Sequence, residues 1–241
     1  MIPKIIHYCW FGGNEKSDVI QKCIASWKKY LPDYEIMEWN EETFDLTSNC
    51  YVNQAYTARK WAFVSDYVRL YALYHHGGIY LDTDVEVLRP LDEFLTAPAF
   101  TGFESKDSPI TAVLGAEREN PIVRELLKDY DNRKFLLSDG QFDLTTNTTV
   151  ITETFLSMGI RPNGKLQKLD QIHIYPPIYF CPNNFTRIWD QPSTKSYTIH
   201  HFEGSWKGGK TKTSRFVFNC RRYLVGLLRD LIGTERLASL K

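Results

Sequence analysis

HHGGIYLDTDVEVL, residues 75–88, sets two aspartates one residue apart inside a run that alternates Ile79, Leu81, Thr83, Val85, Val87 with Tyr80, Asp82, Asp84, Glu86. A period of two predicts a strand with one apolar and one polar face, so Asp82 and Asp84 are expected to point the same way. Carboxylates some ~7 Å apart along one strand face repel each other, and such a pair is kept where a cation or a hydrogen-bonding ligand lies between them. A solvated strand face is the plain alternative, although strands disfavour Asp. Acidic residues at positions one, three and five, with Glu93 at position twelve, imitate a calcium loop. That reading fails because Val87 stands where the loop needs Gly, and Pro90 follows.

Working outward, the longest helical pattern covers 54–76, through Ala62, Val64, Val68, Tyr71 and Ala72, and Gly77-Gly78 stops it. Ahead of it, 2–9 reads as a strand running into Phe11-Gly12-Gly13, 18–30 as a helix ended by Pro32, and 34–39 as a second strand. The first ninety residues are therefore β-α-β-α-β, which predicts parallel strands, helical crossovers and ligands at the carboxyl ends of the strands. Beyond Pro90 the pattern predicts strands at 98–104, 111–116, 172–180 and 196–202, and helices at 119–130 and 145–158. No repeat, low-complexity tract or linker divides the chain, so a single domain is expected over 1–241. Within it, 1–90 form the β-α-β part, 91–210 the less regular middle and 211–241 a helical extension.

With 29 basic and 29 acidic residues the net charge is zero, which gives no electrostatic reason to expect a nucleic-acid partner. Cys9, Cys23, Cys50, Cys181 and Cys220 are odd in number and have no CxxC spacing, and they read as reduced core residues. The N-terminus resembles neither a signal peptide nor a membrane span, so a cytoplasmic start is expected. Residues 214–241 pair Tyr223-Leu224, Leu227-Leu228 and Leu231-Ile232 with Arg215, Arg221, Arg222 and Arg229. This is a basic amphipathic helix that docks on the core or touches a partner or the inner membrane face.

An oxygen-only doublet after a nucleotide-binding β-α-β unit suits Mn²⁺ or Mg²⁺ held against a nucleotide-sugar diphosphate, where the metal neutralises charge on the leaving group. A polymerase-type nucleotidyltransferase would put a Gly-Ser turn before its aspartates, and the serine is absent.

Three ordered blocks, Ile2 to Trp10, Ser65 to Leu73 and Gly77 to Asp84, together with His200-His201-Phe202-Glu203-Gly204-Ser205-Trp206, resemble the Asp-x-Asp sugar-binding glycosyltransferases of family 32. That family contains yeast α-mannosyltransferases and bacterial capsule and lipopolysaccharide enzymes, and is similar around these motifs to the clostridial glucosylating toxins. The resemblance implies a GT-A fold, an α/β architecture with a mixed, mostly parallel sheet flanked by helices. It also implies a divalent metal, retention of anomeric configuration, a nucleotide-sugar donor and a glycan or lipid-linked acceptor. On this resemblance 1–90 would bind the nucleotide sugar, and 91–210 would complete the metal site and the acceptor side. Carried over, Trp10 would stack on the donor base with Tyr8 and Gly12 beside it, and Asp66 and Arg69 would reach the sugar hydroxyls and the diphosphate. Tyr80 and Asp82 would contact the nucleotide, Asp82 and Asp84 the metal, and one of His200 and His201 would supply a third ligand. Ser205 and Trp206 would close over the diphosphate, and Asn147 is a further polar candidate near the sugar.

Gly77 and Gly78 are read as a tight helix-to-strand turn, and Glu86 as solvated. Asp143 or Glu153 could serve as a nucleophile, or the leaving diphosphate could deprotonate the acceptor. A toxin-like protein glycosyltransferase and a non-catalytic nucleotide-sugar scaffold are the competing functions.

Overall fold

The computed structural model describes residues 1–105, 108–182 and 192–204. The chain starts with β1 (Ile5–Cys9), whose apolar residues enter the core, and crosses through helix α1 (Asp18–Tyr30) to β2 (Glu35–Trp39). In α1, Ile20, Cys23 and Trp27 are buried on one face, as their spacing predicts. Next come α2 (Cys50–Thr57), α3 (Trp61–His76), β3 (Gly78–Leu81) and β4 (Val85–Val87). A single 3₁₀ turn, Asp92–Phe94, leads to β5 (Ala99–Phe103), β6 (Pro109–Ala116) and α4 (Pro121–Lys128). The rest is α5 (Asn147–Ser157), β7 (Gln167–Lys168), β8 (His173–Tyr175), α6 (Pro177–Phe180) and β9 (Thr198–His200).

Seven strands form one sheet in the order β2-β1-β3-β6-β5-β8-β7. Pairing is parallel for β1 with β2, β1 with β3 and β5 with β8, and antiparallel for β3 with β6, β5 with β6 and β7 with β8. Only β6 and β7 therefore run against the other five strands, the mostly parallel sheet expected of the β-α-β start. One apolar cluster, including Val64, Val68 and Leu73 of α3, packs on one side, and another, including Trp27, Phe94 and Phe180, packs on the other.

Three expectations are corrected. Helix 54–76 is two helices, because Arg59 adopts φ 55° and the chain turns there without a Gly or Pro to announce it. Strand 172–180 is β8 followed by α6, since Pro176 and Pro177 end the strand and start a helix. Cys9, Cys23 and Cys181 are buried as read, whereas Cys50 is exposed at the start of α2 and Cys220 lies outside the described residues.

The turn from α3 into β3 needs both glycines. Gly77 and Gly78 have φ of 66° and 112°, and a Cβ on Gly78 would meet the Ile5 carbonyl oxygen at 2.6 Å. Buried His7 of β1 secures this turn: its Nε2–H donates to the Gly77 carbonyl at 2.7 Å, while Nδ1 accepts from Trp39 Nε1–H at 3.1 Å. Both ring nitrogens are used by a neutral imidazole, and burial lowers the His7 pKa to about 4.

Candidate functional site

Leu81 is the last residue of β3, and here the reading of one continuous alternating strand is corrected. Ile79, Tyr80 and Leu81 are all buried, because β3 lies inside the sheet with neighbours on both faces. The chain then turns through Asp82, Thr83 and Asp84, with Val85 N–H donating to the Asp82 carbonyl at 2.9 Å, and enters a separate two-stranded sheet of β4 and β9. The aspartates thus sit on a turn at the carboxyl end of a central strand, the place where open α/β sheets bind ligands.

Strand β9 brings the late histidines to this turn. His200 pairs with Val85, and its Nε2 lies 3.2 Å from Asp84 Oδ1. Asp82, Asp84 and His200 each place one ligating atom within 4.8 Å of the others. Burial disfavours a charged His200, but the charge and hydrogen bond of Asp84 outweigh it and hold its pKa well above the usual imidazole value. Asp84 is correspondingly held below the usual carboxylate range despite its burial. Its Oδ2 also accepts the Glu203 N–H at 2.8 Å.

His201 faces the other way, as neighbouring strand residues must, and its Nε2 meets Glu86 Oε2 at 2.8 Å. Of the two histidines between which the sequence left the choice open, His200 is the one that lies with Asp82 and Asp84, and His201 stands apart from them. Glu86 is not simply solvated either, because Lys22 reaches the same oxygen at 3.3 Å.

One turn apart on α3, Asp66 and Arg69 form an ion pair of 2.9 Å, with Arg69 only 6% and Asp66 15% exposed. Arg69 also donates to the Ser65 and Thr111 carbonyls at 3.2 and 2.8 Å, and its guanidinium lies 4.6 Å from the centre of the Tyr80 ring. From this seat it stands 3.4 Å from Asp82 Oδ1, which the Tyr80 hydroxyl also approaches, at 2.9 Å. Asp66 and Arg69 are therefore joined to the Asp82 turn, and their ion pair is largely shielded from solvent. Burial, reinforced by Asp82, raises Asp66 to about 6 even though Arg69 opposes the shift.

Asn147, the first residue of α5, is 4% exposed, and neither its Nδ2 nor its Oδ1 has a hydrogen-bond partner. A buried amide without a strong partner is unfavourable in a folded protein, so this one is placed to hydrogen-bond a ligand or a water. Asn147 is also among the groups acting on the Asp66 carboxyl.

The nucleotide-side residues follow β1. Trp10 donates its indole N–H to the Asn14 carbonyl at 2.7 Å and lines a cleft of about 620 Å³ with Gly13, Asn14, Glu15, Lys16 and Gln21. Lys16 lies 5.5 Å from the Trp10 ring centre and is paired with Glu38 at 3.0 Å. Tyr8 is buried, donating to Glu38 and packing edge-on against Trp27, so its hydroxyl is already engaged. Gly12 donates its N–H to Glu41 at 2.7 Å, and its φ of 92° brings the backbone so close to Trp61 that a Cβ would lie 2.6 Å from the indole.

Asp143 is bound to Arg133 and Glu153 is exposed on α5, so neither is presented as an unengaged buried nucleophile. Ser205, Trp206 and residues 214–241 lie outside the described residues. Sequence reasoning missed the Thr111 carbonyl, the Glu203 amide and Arg133; no local motif signals such contacts.

Residues 17–101 match the family described as the glycosyltransferase sugar-binding region containing the DXD motif. Inositol phosphoceramide mannosyltransferase 3 of Schizosaccharomyces pombe is 30% identical over 135 residues, 53% of this chain and 37% of that protein. The chain thus spans little more than a third of this relative's length. Uncharacterized glycosyltransferase L373 of Acanthamoeba polyphaga mimivirus is 26% identical over 218 residues, 86% of this chain and 84% of that protein. Among solved structures, the PaToxG glycosyltransferase superposes with a TM-score of 0.50 at 20% identity, over 65% of this chain and 69% of its own. That likeness shows the fold, the GT-A arrangement expected from the sequence.

Proposed function

We propose that this chain, which carries the DXD sugar-binding region of glycosyltransferases over residues 17–101, moves a hexose from a nucleotide-diphosphate sugar to a glycan acceptor. The convergence of Asp82, Asp84 and His200 beside the buried Asp66–Arg69 pair carries this reading. Two carboxylates and one imidazole fit Mn²⁺, with Mg²⁺ the harder alternative, and these three residues would hold it. Bound there, the cation supplies Lewis-acid neutralisation of the departing diphosphate.

The chain's own groups account for the rest of the site. Arg69, fixed on all sides, offers the diphosphate a preorganised positive charge that needs no rearrangement. Asp66 accepts hydrogen bonds from the sugar hydroxyls, and the unpaired Asn147 amide supplies both a donor and an acceptor to the same sugar. Trp10 stacks on the donor base at the cleft wall. With Asp143 engaged by Arg133, the proposal is transfer with retention, in which an oxygen of the leaving diphosphate takes the acceptor's proton.

Because the fission yeast relative is named a mannosyltransferase acting on a ceramide lipid, mannose is the first donor sugar to try and a lipid-linked glycan the first acceptor. The wider proposal is surface polysaccharide assembly, of capsule or lipopolysaccharide, at the cytoplasmic face of the membrane. Donor hydrolysis and thermal shift with UDP- and GDP-sugars, with Mn²⁺ and with EDTA, test it for the native chain and Asp84→Ala. Turnover of one donor that EDTA and the substitution both abolish supports the transferase, and NMR of the product's anomeric proton reads its stereochemistry. Donor binding without turnover would leave the scaffold reading, and no binding of any donor, with or without metal, would overturn both.

A further inference from the structure

Arg133, whose charge reaches the Asp66 carboxyl, is 11% exposed and uses all three guanidinium nitrogens. Its Nε meets Asp143 Oδ2 at 2.7 Å, one terminal nitrogen meets Asp129 Oδ2 at 2.8 Å, and the other donates to the Thr145 carbonyl at 3.2 Å. The guanidinium carbon lies 5.1 Å from the Tyr51 ring centre and 5.4 Å from that of Tyr130, which hold its plane. Tyr130 packs edge-on against Tyr67, the residue after Asp66. Asp143 spends its other oxygen on the Thr145 N–H, at 3.0 Å. Both backbone groups of Thr145 are therefore tied, one to Arg133 and the other to the carboxylate that Arg133 grips.

Two residues further on stands Asn147, whose buried amide makes no well-formed hydrogen bond but lies close enough to act on the Asp66 carboxyl. No strong hydrogen bond at its own side chain fixes where that amide points, so its position depends on the backbone that enters α5. We propose that Arg133 is a positioning residue: by clamping Asp143 and Thr145 it holds the amide of Asn147 beside Asp66, toward the sugar of the donor. This rests on the donor-site reading above. A misplacement of about 1 Å in such a group is enough to reduce turnover strongly. Lys in place of Arg keeps the charge but cannot serve Asp143 and Thr145 with a planar fork.

The test measures donor hydrolysis, with Mn²⁺ and whichever sugar of the UDP- and GDP-hexose panel the native chain consumes, in Arg133→Lys, Asn147→Ala and the double variant. Arg133→Lys is expected to lower kcat/KM about tenfold, and the double variant to be no worse than Asn147→Ala within about twofold, because one acts through the other. Losses that multiply in the double variant would overturn the proposal. Asp129→Ala cuts the arm pointing away from Asn147, and it should keep kcat/KM within about twofold; an equal loss there would reduce Arg133 to general support of the fold.

Amide hydrogen exchange across 143–149 reads the clamp without any donor. Faster exchange in folded Arg133→Lys confined to that segment supports the clamp, and unchanged exchange overturns it. A native chain that consumes no donor would defeat the donor-site reading, and the exchange result would still decide the clamp.

Discussion

Asp84 and His200 stand with Oδ1 and Nε2 3.2 Å apart because β4 and β9 pair in a small sheet of their own, outside the large one. The pairing register, Val85 opposite His200 and Glu86 opposite Ile199, decides which of two adjacent histidines faces the Asp-x-Asp turn. A one-residue slip would exchange them.

Mn²⁺ affinity, measured by titration calorimetry or by electron paramagnetic resonance, should therefore separate the two. His200→Ala is expected to weaken binding by about tenfold or more, and His201→Ala, which removes an imidazole bonded to Glu86 and keeps the backbone bond to Asp84, by less than about threefold. Equal losses would remove His200 from the metal group.

Removing Arg69 should damage the fold as well as the chemistry. Arg69→Ala strands Asp66, and breaking a buried pair from one side costs about 3–5 kcal/mol. Urea denaturation reads the loss; Asp66→Asn with Arg69→Ala should recover part of it, and no recovery would mean that the pair is not the source.

Stability against pH offers a sharper check, because two buried groups pull in opposite directions. His7 falls from 6.5 to about 4 on folding, so its contribution is full above pH 6.5 and is lost as pH drops toward 4. Asp66 rises from 3.8 to about 6, so its contribution is full below pH 3.8 and is lost as pH climbs through 6. Each is worth about 3 kcal/mol, and between pH 4 and 6 they largely cancel. Relative to the native chain, the two single variants should therefore tilt the Tm profile in opposite senses. Asp66→Asn should make Tm fall on acidification, and His7→Gln should make it fall on going the other way. Parallel profiles for all three proteins would rule out both assignments.

Gly78→Ala is expected to destabilise by more than about 1 kcal/mol, since φ 112° is strained for any side chain and the added Cβ meets the Ile5 carbonyl oxygen at 2.6 Å. Thermal unfolding measures it. A neutral result would mean that α3 and β3 can be joined by another turn.

Much of this architecture was legible from residue spacing. The helix at 18–30 and the strands around residues 5–9, 35–39 and 99–103 follow patterns that local periodicity dictates. The break at Arg59 does not, because the exposed Arg59 takes the left-handed helix-capping position usually held by glycine, with Lys60 N–H bonded back to the Ala55 carbonyl at 2.9 Å. The turn at Asp82 to Asp84 was hidden for a different reason: two short strands in different sheets can share one alternating pattern. Asp66, Arg69 and the aspartate doublet were legible because they lie close together in the sequence. Choosing between His200 and His201 required the β4–β9 register, and Arg133 required knowing what lies across from Asp143, neither of which is written locally.

The partnership of β4 with β9 also sets an order of assembly. When the chain is made from its N-terminus, β1, β2 and β3 with their crossover helices can pair early, and the Asp66–Arg69 pair is complete with them. The three-residue group closes only after almost the whole described chain has been threaded, since His200 belongs to the last strand. Such long-range closure is slow compared with local pairing. A growing chain therefore completes the buried Asp66–Arg69 pair well before Asp82, Asp84 and His200 can meet, so the two halves of the proposed site form at different times.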